Sequence, residues 1–422
     1  MSSFSQRFGT LLAFTLFAPL SSVFAQDVES RLDALEQENQ DLRIRLDALS
    51  EAQEVRDLGD VVPPVGDSEF GLGPAASKIY SKSSGLSIGG YGEAIYQDLA
   101  GGPDEFDFLR AVLYFGYRFD ENWVFNSELE LEHASTAETG SFSVEFAYLD
   151  YLYQDYLNFR AGVVLVPLGF LNELHEPTTF LGATRPETET RIIPTTFREN
   201  GVGIFGDVGP ISYRSYLVNG FDGADFSDTG LRGGRQRASE TLAEDFAFVF
   251  RADWTDTPGL IAGGSVYIGD AGQGRTSDGL GDTSVSIYEV HAEWKSGGLW
   301  LRGLGTIAHV DDIPQLNDFN GFVGNESVGE ELTGYYFEAG YDILSHFVPD
   351  APASLSPFIR YEAVDTQADV PDGFVANPFN DFDVLTVGLN FQPIPGLVFK
   401  LDYGDYDGGG PDRWNAAFGY TF

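Results

Sequence analysis

The feature that most constrains this chain is an alternation with period two that runs from residue 84 to the C-terminus. Leu109, Ala111, Leu113, Phe115 and Tyr117 fall on one face of a segment, and Arg110, Val112, Tyr114, Gly116 and Arg118 on the other. The next segment is sharper: Phe125, Leu129 and Leu131 oppose Asn126, Glu128, Glu130 and Glu132. Side chains alternate this way only along a β-strand. In a soluble sandwich the apolar face is the core and the charged face meets water. In a transmembrane barrel the apolar face meets lipid and the charged face lines a wet interior.

Three observations favour the barrel. The segments run to about 8–12 residues, the length of a tilted membrane-spanning strand. Connections alternate short and long. Short ones lie at Asp120–Asn122, Gln154–Tyr156, Asp207–Pro210, Thr255–Gly259, Ser296–Gly298 and Gln392–Gly396, with 344–354 a longer exception. Long ones lie near 97–105, 134–140, 166–200, 219–244, 270–283, 309–332, 365–381 and 404–412. Third, the chain stops on an alternating strand, with Trp414, Ala416, Phe418, Tyr420 and Phe422 on one side. A terminal aromatic there resembles the assembly signal of bacterial outer-membrane barrels.

The segments centre on Tyr91, Leu113, Leu129, Phe146, Ala161, Ile204, Tyr213, Phe250, Val266, Val290, Gly303, Phe337, Ile359, Val387, Leu401 and Phe418. That predicts an all-β transmembrane antiparallel barrel of about sixteen strands over 84–422, a size that leaves an aqueous channel. The composition agrees: 50 Gly, 35 Phe and 20 Tyr, with one Met and no Cys. No Cys means no disulfide, no thiolate nucleophile and no Cys-ligated metal.

The first 25 residues carry Arg7, the apolar run Leu11–Leu20, and small residues Val23 and Ala25 before a cleavage point. This is the pattern of a secretory signal peptide. Residues 26–57 form the next unit. Leu32, Leu35, Leu42, Leu46 and Leu49 recur at heptad spacing with Asn39 at an a position, which predicts a short coiled coil. A single amphipathic helix docked on the rest of the chain is the alternative. Residues 58–83, with Pro63, Pro64, Gly66, Gly71, Gly73 and Pro74, read as an extended linker. Export, a periplasmic N-terminus and a barrel in the cell outer membrane follow as the expected location.

Four stretches resemble the phosphate-selective porin O and P family of Gram-negative outer membranes. They are FNSELELEH at 125–133, RAGVVLVPLG at 160–169, NELHEP at 172–177 and IPTTFRE at 193–199. The resemblance spans roughly 85–422. It implies a homotrimeric sixteen-stranded porin with an inward-folded third loop. The phosphate porins line their channels with many Arg and Lys, whereas this chain has only Lys78, Lys82, Lys295 and Lys400 and a formal charge of −41. Strong phosphate selectivity is therefore not expected. Such a charge also speaks against nucleic acid as a partner. The expected partners are membrane lipid, lipopolysaccharide, two further copies of the chain, and small hydrophilic solutes or ions.

Strand parity predicts a lining of Glu128, Glu130, Glu132, Arg110, Arg118, Arg160, Arg214, Arg251, Arg302 and Arg360. Glu93, Glu145, Asp253, Glu289, Glu293, Glu338, Asp342, Glu362, Asp402, Lys400 and Arg413 share those faces. These charges solvate a wet wall and pair with each other, or set a field across the channel. A one-residue bulge inverts any such assignment. The long 166–200 connection holds Glu173, His175, Glu176, Arg185, Arg191 and Arg198. It narrows the channel, or else packs at a trimer interface.

No catalytic or metal constellation stands out, and neither enzyme activity nor a cofactor is expected. His175-Glu176 would need a His at 179 to read as a zinc helix, and Thr179 stands there. His133 or His291 beside a Ser is not singled out. Asp222, Asp225 and Asp228, and Asp402, Asp405 and Asp407, fit calcium ligands or solvated loops. Arg232, Arg235 and Arg237 form the sole basic cluster, for lipopolysaccharide phosphates, for an anion at the channel mouth, or for balance against loop acids. The favoured function is passive diffusion of small hydrophilic solutes through an outer-membrane porin. The alternative is a structural anchor whose coiled coil serves periplasmic interaction.

Overall fold

The computed structural model describes residues 31–32, 34–50, 61–136, 139–348 and 351–422. The targeting segment expected at 1–25 lies outside the described residues. So do 26–30 and 51–57 of the expected coiled coil. Its described part, 31–32 and 34–50, is helical, and Leu32, Leu35, Leu42, Leu46 and Leu49 are all exposed.

Residues 61–422 form one compact unit. Its strands are β1 (Gly85–Leu99), β2 (Glu105–Arg118), β3 (Trp123–Glu132), β4 (Ser141–Gln154), β5 (Leu157–Leu165), β6 (Arg198–Val208), β7 (Ile211–Asn219) and β8 (Phe246–Trp254). They continue as β9 (Leu260–Asp270), β10 (Ser284–Ser296), β11 (Leu299–Val310), β12 (Glu331–Tyr341), β13 (Ser354–Asp369), β14 (Asp381–Ile394), β15 (Leu397–Asp407) and β16 (Arg413–Thr421). Every strand pairs antiparallel with its sequence neighbours, and β1 closes on β16 with Ala94 opposite Phe418. The result is a closed sixteen-strand barrel. Each of the sixteen expected segment centres lies in its own strand. Several strands outrun the expected length, up to 16 residues in β13. The exceptional 344–354 connection carries a short helix, Leu344–Phe347.

The short turns gather at one end, here the turn end, which also holds the start of β1 and the close of β16. The long connections gather at the loop end. Alternation turns the barrel inside out relative to a soluble protein. Leu113, Phe115, Leu149, Val202, Phe248, Val290, Phe337, Val387 and Leu401 are exposed on the outer face. Trp123, Tyr151, Trp254, Trp294 and Phe399 add aromatic side chains near the turn end. A continuous apolar band of this kind is stable against hydrocarbon, not water. Among the described residues no helix is long and apolar enough to cross a membrane.

One bulge matters for side-chain direction. Glu128 pairs with Phe146 and Leu129 with Val144, so Glu145 is an extra residue in β4. Glu145 and Phe146 are consequently both buried, while Val144 and Leu149 face out from opposite parities.

The interior is fuller than strand number alone implies. The third long connection, 166–197, folds inward, and Leu168, Phe170, Leu171, Ile192, Ile193 and Phe197 are fully buried. Phe197 stacks on Phe221 of the next long connection at 4.6 Å between ring centroids. The second filler corrects the linker reading of 58–83. Ala76–Ser81 is a 3-10 helix, and Leu72, Ala75, Ala76, Ile79 and Tyr80 are buried inside the barrel. The turn residues of this stretch do break regular structure. Its apolar residues, however, have nowhere to go but the interior.

Candidate functional site in the barrel interior

Cross-strand register sets the charge pattern. Arg110 on β2 lies opposite Glu93 on β1 and opposite Glu132 on β3. Its guanidinium pairs with Glu93 at 2.7 Å and with Glu130 at 3.2 Å. Arg160 on β5 faces Asp150 on β4 and holds it with two hydrogen bonds, 2.8 and 2.9 Å. Arg302 on β11 sits between Glu293 and Glu338 in register and donates to Glu293. Arg360 on β13 pairs with Glu362 at 2.8 Å and Glu338 at 3.5 Å.

Not every charged pair in register is of opposite sign. Arg214 on β7 lies directly opposite Arg251 on β8, an arrangement that repels. Asp253 relieves it, at 2.6 Å from Arg214 and 2.8 Å from Arg251, and Glu173 from the third loop reaches both, at 3.3 and 3.6 Å. His291 also touches Asp253, at 2.8 Å, and Glu289, at 2.7 Å.

The remaining cationic capacity goes to the backbone of the third loop. Arg251 donates to Gly169 O, Arg302 to Thr179 O at 2.9 Å, Arg360 to Thr184 O at 3.3 Å and Lys400 to Gly182 O at 2.8 Å. The basic cluster of the next loop closes the far end: Arg232 donates to Thr195 O, and Arg235 to Pro194 O and Thr196 O. Burial among other arginines pulls Arg235 down to about 8. The cluster therefore serves as a clamp on the third loop, a use that its sequence pattern did not suggest.

Of the loop residues, Glu173 joins the Arg214–Arg251 pair, and Arg198 meets Glu145 at 2.6 Å. His175 lies 3.1 Å from Glu128 and 3.1 Å from Asn172 O. Burial holds His175 down to about 3, so it is a neutral hydrogen-bonding partner. Glu176 accepts from the backbone N–H of Ala75 at 2.9 Å and of Ala76 at 3.0 Å. Arg191 stays partly exposed and pairs with Glu187 at 3.2 Å. Arg118 sits apart from the rest at the turn end, donating to the backbone oxygens of Tyr80, Asp120 and Glu121. Asp342 likewise lies at a turn, accepting from Leu344 N and Leu355 N. The loop aspartates do not converge: Asp222 binds Arg275, while Asp228 meets Asn377 and Asn380.

Cavities remain on both sides of this partition. On the loop side, a space of about 370 Å³ is lined by Arg110, Arg185, Arg232, Arg413, Glu93 and Glu187. The Nε and one terminal nitrogen of Arg185 are buried without a hydrogen-bond partner. At the turn end, about 400 Å³ is lined by Glu69, Phe70, Glu173, Arg214, Arg251 and Asp253. A third space of about 480 Å³ is bordered by Lys295, Trp300, Asp342, Asn390 and Gln392. Cavities carrying both signs of charge suit small polar solutes rather than apolar ones.

A closed sixteen-strand barrel, apolar outside and charged inside, with its third connection folded inward, is the architecture of the outer-membrane porins. Solved structures agree. The chain superposes on Salmonella typhi OmpF in complex with daunomycin with a TM-score of 0.54 at 11% identity, covering 81% of this chain and 98% of that one. It superposes on a loop-L8 deletion mutant of OmpT from Vibrio cholerae with a TM-score of 0.53 at 10% identity, covering 81% and 100%. At such identities the likeness is one of fold. No protein-family model matches the chain. An uncharacterized protein of Aquifex aeolicus (strain VF5) is 37% identical over 381 residues, 86% of each chain, and the present chain belongs to the same family.

Proposed function

We propose that this protein is an outer-membrane channel for passive diffusion of small hydrophilic solutes or ions, without strong phosphate selectivity. The observation that carries the reading is the pair of charged cavities on either side of the third loop, inside a wall whose outer face is apolar. Most inward arginines and acids brace the loop and one another. The solute would meet chiefly those bordering the cavities, Arg110, Arg185, Glu187, Arg214, Arg232, Arg251 and Arg413. The remaining inward charges of the expected lining, Glu128, Glu130, Glu132, Arg160, Arg302 and Arg360, would act by fixing the partition. The scarcity of Lys and the abundance of acids distinguish the chain from the phosphate-selective porins that parts of it resemble. We assign it no catalytic step.

The barrel would stand as a homotrimer with its N-terminus in the periplasm. The exposed leucine seam of the helix at 31–50 supports the trimer, since three such helices would pair with one another through it. The same seam favours a second reading, a structural anchor using the helix for periplasmic interaction.

The test is single-channel recording of the purified protein in a planar bilayer under a salt gradient, with phosphate as competitor. Conductance in steps of three with a cation-directed reversal potential is the expected result. An anion-directed potential blocked by phosphate would overturn the selectivity, and no conductance would remove the channel reading in favour of the anchor.

A further inference from the structure

We propose that residues 69–81 are a releasable plug in the turn end of the barrel, latched by Glu176 of the third loop. Its effect on flow rests on the channel reading above; its docking does not.

The segment is poorly suited to hold itself. It contains a single six-residue 3-10 helix, Ala76–Ser81, with no side-chain cap, and such short 3-10 turns are not stable alone. Its position is therefore set by what it touches. Two glycines on the wall make the seat. A Cβ on Gly116 of β2 would lie 2.8 Å from the Cβ of Ile79, and one on Gly89 of β1 would lie 3.0 Å from Ala75 O. Either contact is too close for an ordinary side chain. Asn126 donates to Ala76 O at 3.0 Å. Tyr80 donates to Asp150 at 2.7 Å and accepts from Arg160 at 3.0 Å. Phe70 packs edge-on against Tyr80 and Phe205.

The latch is the one point where the segment meets the third loop through a buried carboxylate. Glu176 is 1% exposed; Oε1 accepts both the Ala75 and the Ala76 N–H, and Oε2 accepts from Ala75 at 3.1 Å. Gly73 provides the room, since a Cβ there would fall 2.4 Å from that oxygen. Among the described residues no strand ladder and no ion pair of its own binds the segment to the wall, and the Asp150–Arg160 pair survives without it. Withdrawal would break a small set of hydrogen bonds, those of Tyr80 with Asp150, Arg160 and Arg118 and those of the Glu176 latch among them, and expose Leu72, Ile79 and Tyr80. It would leave the barrel closed. Glu69, Phe70 and Gly71 form one side of the 400 Å³ turn-end cavity, so withdrawal would extend that cavity toward β1–β4.

The chain has no Cys, which makes the test direct in the full-length protein. Ile79→Cys with Gly116→Cys should cross-link on oxidation. In planar bilayers the oxidised protein should conduct less than the same protein after reduction, and Glu176→Ala should conduct about twofold more than the parent. A second readout needs no current: maleimide labelling of the single variant Ile79→Cys. It should be about tenfold faster with Glu176→Ala added, the scale of a lost pair of buried hydrogen bonds, and should return to the parent rate with Glu176→Gln, which keeps the Oε1 acceptor. Gly116→Val, which crowds Ile79 from the wall, should release the segment without touching latch or plug. Equal conductance in the oxidised, reduced and Glu176→Ala proteins would overturn the plug and leave the channel standing. If no protein conducts, the channel reading fails and labelling decides: acceleration supports the latch, and unchanged rates overturn it.

Discussion

The third loop and the N-terminal segment both lie inside the barrel, yet they are held differently. The loop is bracketed by cations from four strands, Arg251, Arg302, Arg360 and Lys400, each donating to a loop carbonyl. Asp402 accepts from Ala183 N at 2.6 Å, and Glu189 of the loop itself accepts from Leu171 N and from Tyr336. The segment is held by the Glu176 carboxylate, the Tyr80 hydroxyl between Asp150 and Arg160, Arg118 on Tyr80 O and the Asn126 amide. Hydrogen bonds to charged groups contribute roughly 1.5–3 kcal/mol each and occur in both sets, so the contrast is one of spread: the loop is braced at four separate carbonyls, whereas the segment's bonds converge on Ala75, Ala76 and Tyr80. The contrast teaches that one filler is a fixed partition and the other a removable one. A porin-like interior can thus be filled twice over and still keep a moving part.

The largest break in that contrast comes from removing a loop brace. Arg360→Met takes away the Thr184 contact and leaves Glu338 and Glu362 without their shared cation in a buried place. Breaking a buried pair this way costs about 3–5 kcal/mol. The thermal midpoint should fall, and trypsin should begin to cut at Arg185 or Arg191. Labelling of Ile79→Cys should not change. If it rises in step with loop cleavage, the two fillers move as one and the contrast is lost.

A smaller effect sharpens the other side. Tyr80→Phe deletes the hydroxyl that bridges Asp150 and Arg160, while their direct pair at 2.8 Å remains. About 1.5–3 kcal/mol of docking should go, tenfold or more in labelling rate. The thermal midpoint should stay put. A fall in the midpoint comparable to that of Arg360→Met would show that the segment is integral to the barrel.

The barrel was legible because period-two alternation is local: each strand announces its own two faces, and each turn its own end. Strand direction was legible for the same reason, with the Glu145 bulge one of several places where the register slips. What the charges do was not legible. Parity places Arg251, Arg302 and Arg360 on the inner wall, but whether they meet water or a loop carbonyl depends on where 166–197 folds, a contact far away in sequence. The clamp role of Arg232 and Arg235 was hidden likewise. The plug had a readable signal. Leu72, Ala75, Ala76 and Ile79 fall at i, i+3, i+4 and i+7, the stripe of a one-sided helix. The surrounding Pro63, Pro64, Gly66, Gly71, Gly73 and Pro74 drew the reading toward a solvated linker. Apolar residues in a Gly- and Pro-rich stretch are better read as a docking sequence, because nothing else in such a stretch can hold it.

The smallest expected effect is on the pH dependence of docking, and its sign follows from Glu176. Burial raises its carboxyl to about 7 from an ordinary 4.5, against the pull of the Ala75 and Ala76 N–H donors. Once released into water it returns toward the ordinary value. Between about pH 4.5 and 7 the docked state therefore keeps a proton that the released state gives up. Docking is strongest below that window and weakens as pH rises through 7. Oε1 takes both N–H donors at 2.9 and 3.0 Å, so a proton on Oε2 gives up only the longer Ala75 contact at 3.1 Å. Glu128 on β3 and Tyr114 on β2 face the carboxyl, as does Lys78 of the segment. Burial lowers Lys78, which acts in the opposite sense, favouring docking as pH rises. The measurement is Ile79→Cys labelling from pH 5 to 8, normalised to Gly66→Cys, whose added Cβ meets nothing, so that the thiol's own titration cancels. The ratio should climb with pH in the parent and lose that climb with Glu176→Gln. A ratio that falls with pH in both proteins would assign the control to Lys78, and a flat ratio in both would leave the latch without a titrating group.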